Sequence, residues 1–554
     1  MSQLRLSCLL ACLVPLSAAA TGPGAGGASG EALMRHVQVL ASEGFEGRAP
    51  ATAGEEKTIA YLVEEFRRAG VQPGGEDGGW TQAVPLLRAR VDGPVQASLR
   101  VGGQARALAN GDEVTLQTLS PVDRVEVRDA PLVFVGYGIT APERGWDDYK
   151  GVDLAGKVAV VLVNDPDFET EQAGAFEGRA VTYHGRWTYK YEELARRGAL
   201  GALIVHETAP AAYGWDTVRS SGLSPLFDIP REDAGAHHTL LRGWMHRDLA
   251  VSLFAQAGLG FEREKARAQT AAFTPVALGD ATLSAAFDVV RDEVVTHNVI
   301  GRIEGASRPG ETVIYSAHWD AYGIGEPDAG GDPIRHGAVD NATGVAAVLE
   351  LARMFAQAPR PARSLLFMAL TAEEKGLQGA SYYVANPLAP LETTAAVINI
   401  EMLSPDGPTR DIASWGNGRV SLEQDLRRVA EAAGRAYSPD PNLEAGYFYR
   451  ADHFAFARAG VPAITIGAGL DRIDGGVASG QALREAYFAD CYHRPCDAWS
   501  ADWDVSGQVQ DVNLLYSLGR GIADGGDWPG WLDGSEFKAV RADSESARAG
   551  AANE

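Results

Sequence analysis

Positive charge is scarce in this chain. Lysine and arginine number 49 against 73 aspartates and glutamates, a formal net charge of −24 over 554 residues. The basic face that nucleic-acid binding needs is therefore not expected. The acid surplus is compatible with cationic substrates or bound metal, although most of it serves solubility. Long apolar runs are lacking as well. LSCLLACLVPL near the start is too short to cross a bilayer, and no later stretch is long and apolar enough, so no transmembrane segment is predicted. No G-x-S-x-G elbow occurs, which leaves a serine α/β-hydrolase mechanism unsupported. No H-E-x-x-H occurs, which excludes a helix-borne zinc site of that type. There is no internal repeat.

Arg5, the apolar stretch behind it and the small residues SAAA read as an export signal over residues 1–20. Lipoprotein processing at Cys12 is the alternative. Residues 21–30 form a flexible leader. Of four cysteines, Cys8 and Cys12 leave with the signal. Cys491 and Cys496 flank His493, and an exported chain permits them to pair. A disulfide is predicted there, against two free buried thiols.

Helical stripes follow, Leu33, Val37 and Leu40 in one and Ile59, Leu62, Val63 and Phe66 in the next, which stops at Gly70. Residues 92–275 show short alternating strands separated by Gly, Pro and Asp, and read as an inserted β-rich domain. His237-His238 within it reads as a solvated pair. From about 280, strand and helix alternate regularly. The predicted fold is α/β, a mostly parallel mixed sheet sandwiched by helices. The catalytic domain is assigned to 31–91 and 276–527, and 528–554 is expected to be partly disordered.

Chemistry gathers in that second region. His318 and Asp320 lie in SAHWDA, Asp340 in HGAVDNATG, Glu373 and Glu374 in TAEEKG, Glu401 in NIEM and His493 in CYHRPCD. His318, Glu373-Glu374 and Glu401 each follow an apolar strand. In an open α/β sheet, sites form beyond the carboxyl ends of strands. A carboxylate that ends an apolar strand is costly unless paired or metal-bound. Each residue alone has an ordinary reading, such as a helix cap for Asp340 or a loop histidine for His493. Jointly they form the inventory of a two-metal hydrolase. His318 would hold one ion and His493 the other, with Asp340 between them and Glu374 and Glu401 completing one shell each. Glu373 is left to move a proton, and Asp320 to orient the His318 ring. Tyr449 is a candidate oxyanion donor, Asp452 a brace and Arg450 a substrate contact. His336 reads as a loop residue.

AHWD, GAVDNATG, TAEEKGLQGA, NIEM and YHRPCD, taken in order, resemble the co-catalytic di-zinc peptidase family of bacterial leucyl aminopeptidases, yeast aminopeptidase Y and glutamate carboxypeptidase. LASEGFEGRAP and THNVIGRIEG are similar to it too, and the resemblance covers roughly 30–90 and 280–525. DYKGVDLAGKVAVVLV and RRGALGALIV resemble a protease-associated domain. The resemblance implies a zinc exopeptidase fold and two zinc ions per chain. It implies His318, Asp340, Glu374, Glu401 and His493 as ligands, Glu373 as general acid/base, and a cis bond between Asp340 and Asn341. Many members carry aspartate where this chain has Glu401.

The expected activity is that of an exported exopeptidase acting on peptides, of aminopeptidase type, with an acidic pocket for the substrate ammonium. A carboxypeptidase would need cationic residues near the metals, for which Arg450 is the one candidate. A single-zinc glutaminyl cyclase and a non-catalytic receptor-like relative are the other readings. Oligomeric state is not legible.

Overall fold

A computed structural model describes residues 26–170, 174–231, 234–416 and 418–551. The export signal over 1–20, with Cys12, lies outside the described residues. Among the described residues no helix is long and apolar enough to cross a membrane.

The centre of the fold is a set of parallel strands. Thr394–Ile400 pairs with Ala463–Ala468 on one side and Arg308–His318 on the other. Arg308–His318 pairs in turn with Arg363–Leu370. Every residue of Arg363–Leu370 and of Thr394–Ile400 is buried. Strands covered on both faces need apolar residues throughout, which is why these read as unbroken apolar runs. Asp411–Ser414 adds an antiparallel strand beyond Ala463–Ala468, and Ala436–Ser438 forms the edge.

Helices cover both faces. Thr343–Ala356 is apolar almost all round and accordingly buried almost all round. It packs against Gly30–Leu40 and Ala53–Ala69, whose Leu33, Val37, Leu40, Leu62 and Phe66 face the core. Ala53–Ala69 ends where Gly70 takes the left-handed conformation, φ 87°. Ser506–Asp524 completes that layer, and the Tyr315 hydroxyl donates to the Leu515 carbonyl at 2.7 Å.

Two features differ from the sequence reading. The strands that lead into and out of the inserted region belong to the main sheet. Thr81–Val101 and Val276–Ile303 pair antiparallel from Thr81–Val299 to Arg100–Thr282. Along the side opposite Thr81–Val101, Val276–Ile303 pairs with Arg124–Phe134 through its first half and with Arg363–Leu370 at its end, so one sheet connects the inserted region to the parallel core. The expected boundary after residue 91 falls inside a strand, and the apolar cluster of the inserted region continues to Val289. Strands long enough to cross two cores leave no linker composition to detect.

The stretch from about 540 also differs. It carries helices Lys538–Asp543 and Glu545–Ala551. Two apolar anchors just before it and one polar anchor within it hold it to the core. Phe537 and Trp531 are buried in the main core, and Arg541 donates to the Thr394 carbonyl at 3.0 Å.

Phe367 stacks on Tyr315 with ring centroids 5.8 Å apart, under the strands that present the histidine and the glutamates. Phe367→Ala is expected to lower unfolding free energy by about 3–5 kcal/mol in chemical denaturation.

Candidate metal centre

Most of the residues that the sequence singles out arrive at one place because three parallel strands end there. His318 is the last residue of Arg308–His318, Glu373 and Glu374 follow Arg363–Leu370 by three and four positions, and Glu401 directly follows Thr394–Ile400. Asp340 sits in the tight turn Ala338–Ala342 that opens Thr343–Ala356. His493 lies in the loop closed by a Cys491–Cys496 disulfide.

His318 Nε2 lies 3.2 Å from Asp340 Oδ1 and 3.3 Å from Glu401 Oε2. His493 Nε2 lies 3.3 Å from Asp340 Oδ2 and 3.4 Å from Glu374 Oε2. The two groups share Asp340, one oxygen to each. Ligands ~2.0–2.1 Å from a tetrahedral zinc ion stand roughly 3.3–3.4 Å apart, so both triads have the spacing of half-built zinc shells. His493 Nε2 is a buried atom with no hydrogen-bond partner, as a metal ligand would be. The donor set and its separations fit two zinc ions.

Charge balance points the same way. Burial raises the Glu373 carboxyl well above its usual range, and Glu374 and Glu401 raise it further. Burial and then Asp340 push Glu374 up to about 7. Asp452 is fully buried, neither of its oxygens has a partner, and burial together with Glu401 and Asp320 lifts it strongly. Burial opposes a charge on His318, yet Glu401 and Glu373 hold its imidazolium well above the usual range. These acids are crowded for want of cations.

Around the ligands the backbone is held tightly. Asp320 accepts from the Glu373 amide at 3.0 Å and the Glu374 amide at 3.3 Å, and its carbonyl is 3.1 Å from His318 Nδ1. Asp320 thus orients both the histidine and the glutamate pair. The Asp340–Asn341 bond is cis. Asn341 donates to the Ile400 carbonyl at 2.9 Å and to Glu401 at 3.1 Å, and Asn399 donates to the other Glu401 oxygen at 3.0 Å. Ala372, Met402 and His493 adopt positive φ of 53°, 45° and 61°. Each is a ligand or adjoins Glu373 or Glu401, and strain of this kind collects where geometry is over-determined.

Several supports were not legible in the sequence. Asp497 accepts from the Val339 and Asp340 amides at 2.8 and 3.1 Å. The fully buried Arg48 donates to the carbonyls of Trp319, Leu40, His336 and Gly337 at 2.7–2.8 Å, tying the His318 loop to the Asp340 turn. Only the partners these residues meet in the folded chain mark them out.

A cleft of about 300 Å³ opens onto His318, Asp340, Glu373 and Glu401. Tyr447, Tyr492, Trp415 and Arg450 line its far side. Tyr449 is not brought there. Its hydroxyl donates to Glu536 Oε1 at 3.0 Å, and its ring lies by the Arg419 guanidinium. Tyr447 and Tyr449 share one short helical turn, so the sequence motif could not distinguish the side chain that faces the cleft. His336 is a loop residue, bonded to the Ala41 carbonyl and Asp332. His238 is not merely solvated, since it lies 2.7 Å from Asp228.

Residues 298–517 match the sequence model of Peptidase family M28. The Mus musculus aminopeptidase NAALADL1 is 36% identical over 169 residues, covering 26% of this chain and 21% of that protein. The Streptomyces exfoliatus leupeptin-inactivating enzyme 1 is 29% identical over 200 residues, covering 33% and 42%. The chain thus spans less than half the length of these curated relatives. The solved aminopeptidase from Aneurinibacillus sp. strain AM-1 superposes with a TM-score of 0.50 at 19% identity, over 90% of this chain and 95% of that one, and shares the fold.

Asp340→Ala is expected to abolish binding of both zinc ions, whereas Glu374→Ala leaves about one per chain, because only the aspartate serves both shells. Metal analysis of the purified variants measures this directly. Equal loss in the two variants would contradict two separate shells.

Proposed function

We propose, for a chain whose residues 298–517 belong to the metallopeptidase family M28, the activity of an exported di-zinc exopeptidase that removes N-terminal residues from peptides. The observation that carries this reading is the pair of triads hinged on Asp340, with Glu373 beside them and outside both. Export would follow from residues 1–20, with a lipid anchor at Cys12 as the alternative. Residues 92–275 are proposed to form a protease-associated domain.

Zinc ions held by His318, Asp340, Glu374, Glu401 and His493 would polarise the scissile carbonyl and make water nucleophilic near neutral pH. The protein's own groups supply the proton traffic. Glu373 accepts the proton of the attacking water on its carboxylate and returns it to the leaving amine nitrogen. Asp320 holds the Glu373 amide, so the carboxylate meets the substrate from a fixed direction. A substrate ammonium would find negative charge on the carboxylates that line the cleft.

The rival within the same fold is a carboxypeptidase. It draws support from Arg450, which lines the cleft. A panel of free-amine and N-blocked peptides separates the two. Release of N-terminal residues from free-amine peptides, with N-blocked ones spared, supports the aminopeptidase; the opposite selectivity would replace it by the carboxypeptidase.

Glu373→Ala is expected to lower kcat by roughly 10²–10⁴-fold, the usual worth of a positioned acid/base, with zinc content unchanged. Substantial kcat in that variant would remove Glu373 from the chemistry.

A further inference from the structure

The two histidines of the metal centre are held in different ways. His318 is 1% exposed, and its Nδ1 lies 3.1 Å from the Asp320 carbonyl. A metal-bound imidazole usually has such a partner for its second nitrogen, and the partner fixes the ring. His493 is 28% exposed, and among the described residues no hydrogen bond reaches its Nδ1.

Aromatic rings stand where that hydrogen bond would be. The Tyr492 ring stacks on the His493 imidazole with centroids 3.6 Å apart and planes inclined by 30°. The Tyr322 ring lies against the same imidazole with centroids 4.4 Å apart, inclined by 42°. The Lys375 ammonium sits 4.6 Å from the centre of the Tyr322 ring. Tyr492 is joined to His493 by a single peptide bond and travels with its loop. Tyr322 belongs to another segment, so its ring ties that loop to the rest of the centre.

The segment that carries Tyr322 is fixed on both sides. Before it, Asp320 accepts from the Glu373 and Glu374 amides, and the Ala321 amide donates to the Arg48 carbonyl at 3.4 Å. After it, Gly323–Ile324 pairs with Ile334–Arg335. Gly323 has φ 74°, and a Cβ there would stand 2.6 Å from the Ala49 Cβ, so the turn needs glycine. The contacts of Tyr322 reach both parts of the second triad that the first does not share. His493 is one, and Lys375 is the chain neighbour of Glu374, the other. Tyr322 also lines a small opening of about 180 Å³ with Asp340, Glu374 and His493, apart from the cleft that His318 and Glu373 line. The residue is 37% exposed, yet its ring meets an imidazole and an ammonium. Aromatic pairs and ammonium–ring contacts of this kind favour one ring orientation over others.

We propose that Tyr322 is a positioning residue for the zinc ion of the His493 and Glu374 triad: its ring holds the His493 imidazole in the ligating orientation and so raises the affinity of that site and not of the other. The proposal rests on the two-zinc part of the reading above, and adds the residue that sets the strength of one of the two sites.

The test titrates zinc into the metal-free protein in competition with a chelator of known affinity. Glu374→Ala marks which binding step belongs to the His493 site. Tyr322→Leu keeps bulk and loses the ring. It is expected to weaken that step by about 10-fold, the lower end of what the partners of a metal ligand are worth, and to leave the other step unchanged. Tyr322→Phe is expected to bind both ions as the wild-type protein does. The melting temperature of the metal-free protein is expected to be the same in all three, since a merely structural role would lower it and weaken both steps together. Both steps unchanged in Tyr322→Leu, both weakened alike, or Tyr322→Phe as weak as Tyr322→Leu would overturn the role of the ring. A wild-type protein that takes up fewer than two zinc ions would sink the two-zinc reading and this role with it, before any variant is compared. Selective weakening in Tyr322→Leu, in a protein that cleaves no peptide, would sink the peptidase reading and leave the role of Tyr322 standing.

Discussion

Repulsion among carboxylates crowded at the ends of parallel strands is the constraint that the rest of this molecule answers to. Asp320, Asp340, Glu401 and Asp452 are buried, and Glu373 and Glu374 stand beside them. Two imidazoles cannot balance six acids. The supporting structure supplies what fixed dipoles can. Backbone amides serve Asp320, and side-chain amides of Asn341 and Asn399 serve Glu401. Arg48 offers a nearby cation whose hydrogen bonds all go to carbonyls, so it stabilises the loops without neutralising any one acid. The remaining imbalance is what a pair of divalent ions would relieve, and it falls where both triads have zinc-like spacing.

Parallel strands are well suited to that arrangement. Their ends lie in a row at the strand spacing of roughly 4.8 Å, so one residue after each strand yields a line of side chains with little loop to order. His318 and Glu401 are delivered this way, with Glu373 only slightly further out. Asp340 reaches the same point from the opposite layer, since Thr343–Ala356 packs under the sheet and starts beneath the strand ends. His493 alone depends on a long excursion, and its loop carries the disulfide.

Legibility in the sequence follows the same division. The histidines and acids that end apolar strands could be read because a polar residue at that position has few inexpensive explanations. The parallel core was readable for a related reason, since doubly covered strands advertise themselves as unbroken apolar runs. Arg48, Asp497 and Tyr447 were not legible. Their importance lies in which carbonyl, amide or cleft they meet, and single-sequence periodicity carries no such information. Tyr449 shows the limit sharply. One residue separates it from Tyr447 within one turn, and one ring faces the cleft while the other is held by Glu536. The continuity of the sheet was hidden because the inserted region enters and leaves on strands that look like those on either side.

That continuity bears on how the cleft is shaped. An inserted module on flexible tethers would add a wall that opens and closes, and any residue it lent to the site would have to be ordered at each encounter. Here Thr81–Val101 and Val276–Ile303 are paired along most of their length, and both belong to the sheet that presents the ligands. A second connection closes the frame, with Val181, Tyr183 and Glu192 resting on the loop and helix around Arg450. Two attachments at separate points suppress a hinge more effectively than either does alone. The inserted region is accordingly held in place before substrate arrives. Interactions with preset groups lose less to ordering than those with mobile ones. An inserted region fixed at two points is poorly suited to act as a swinging gate.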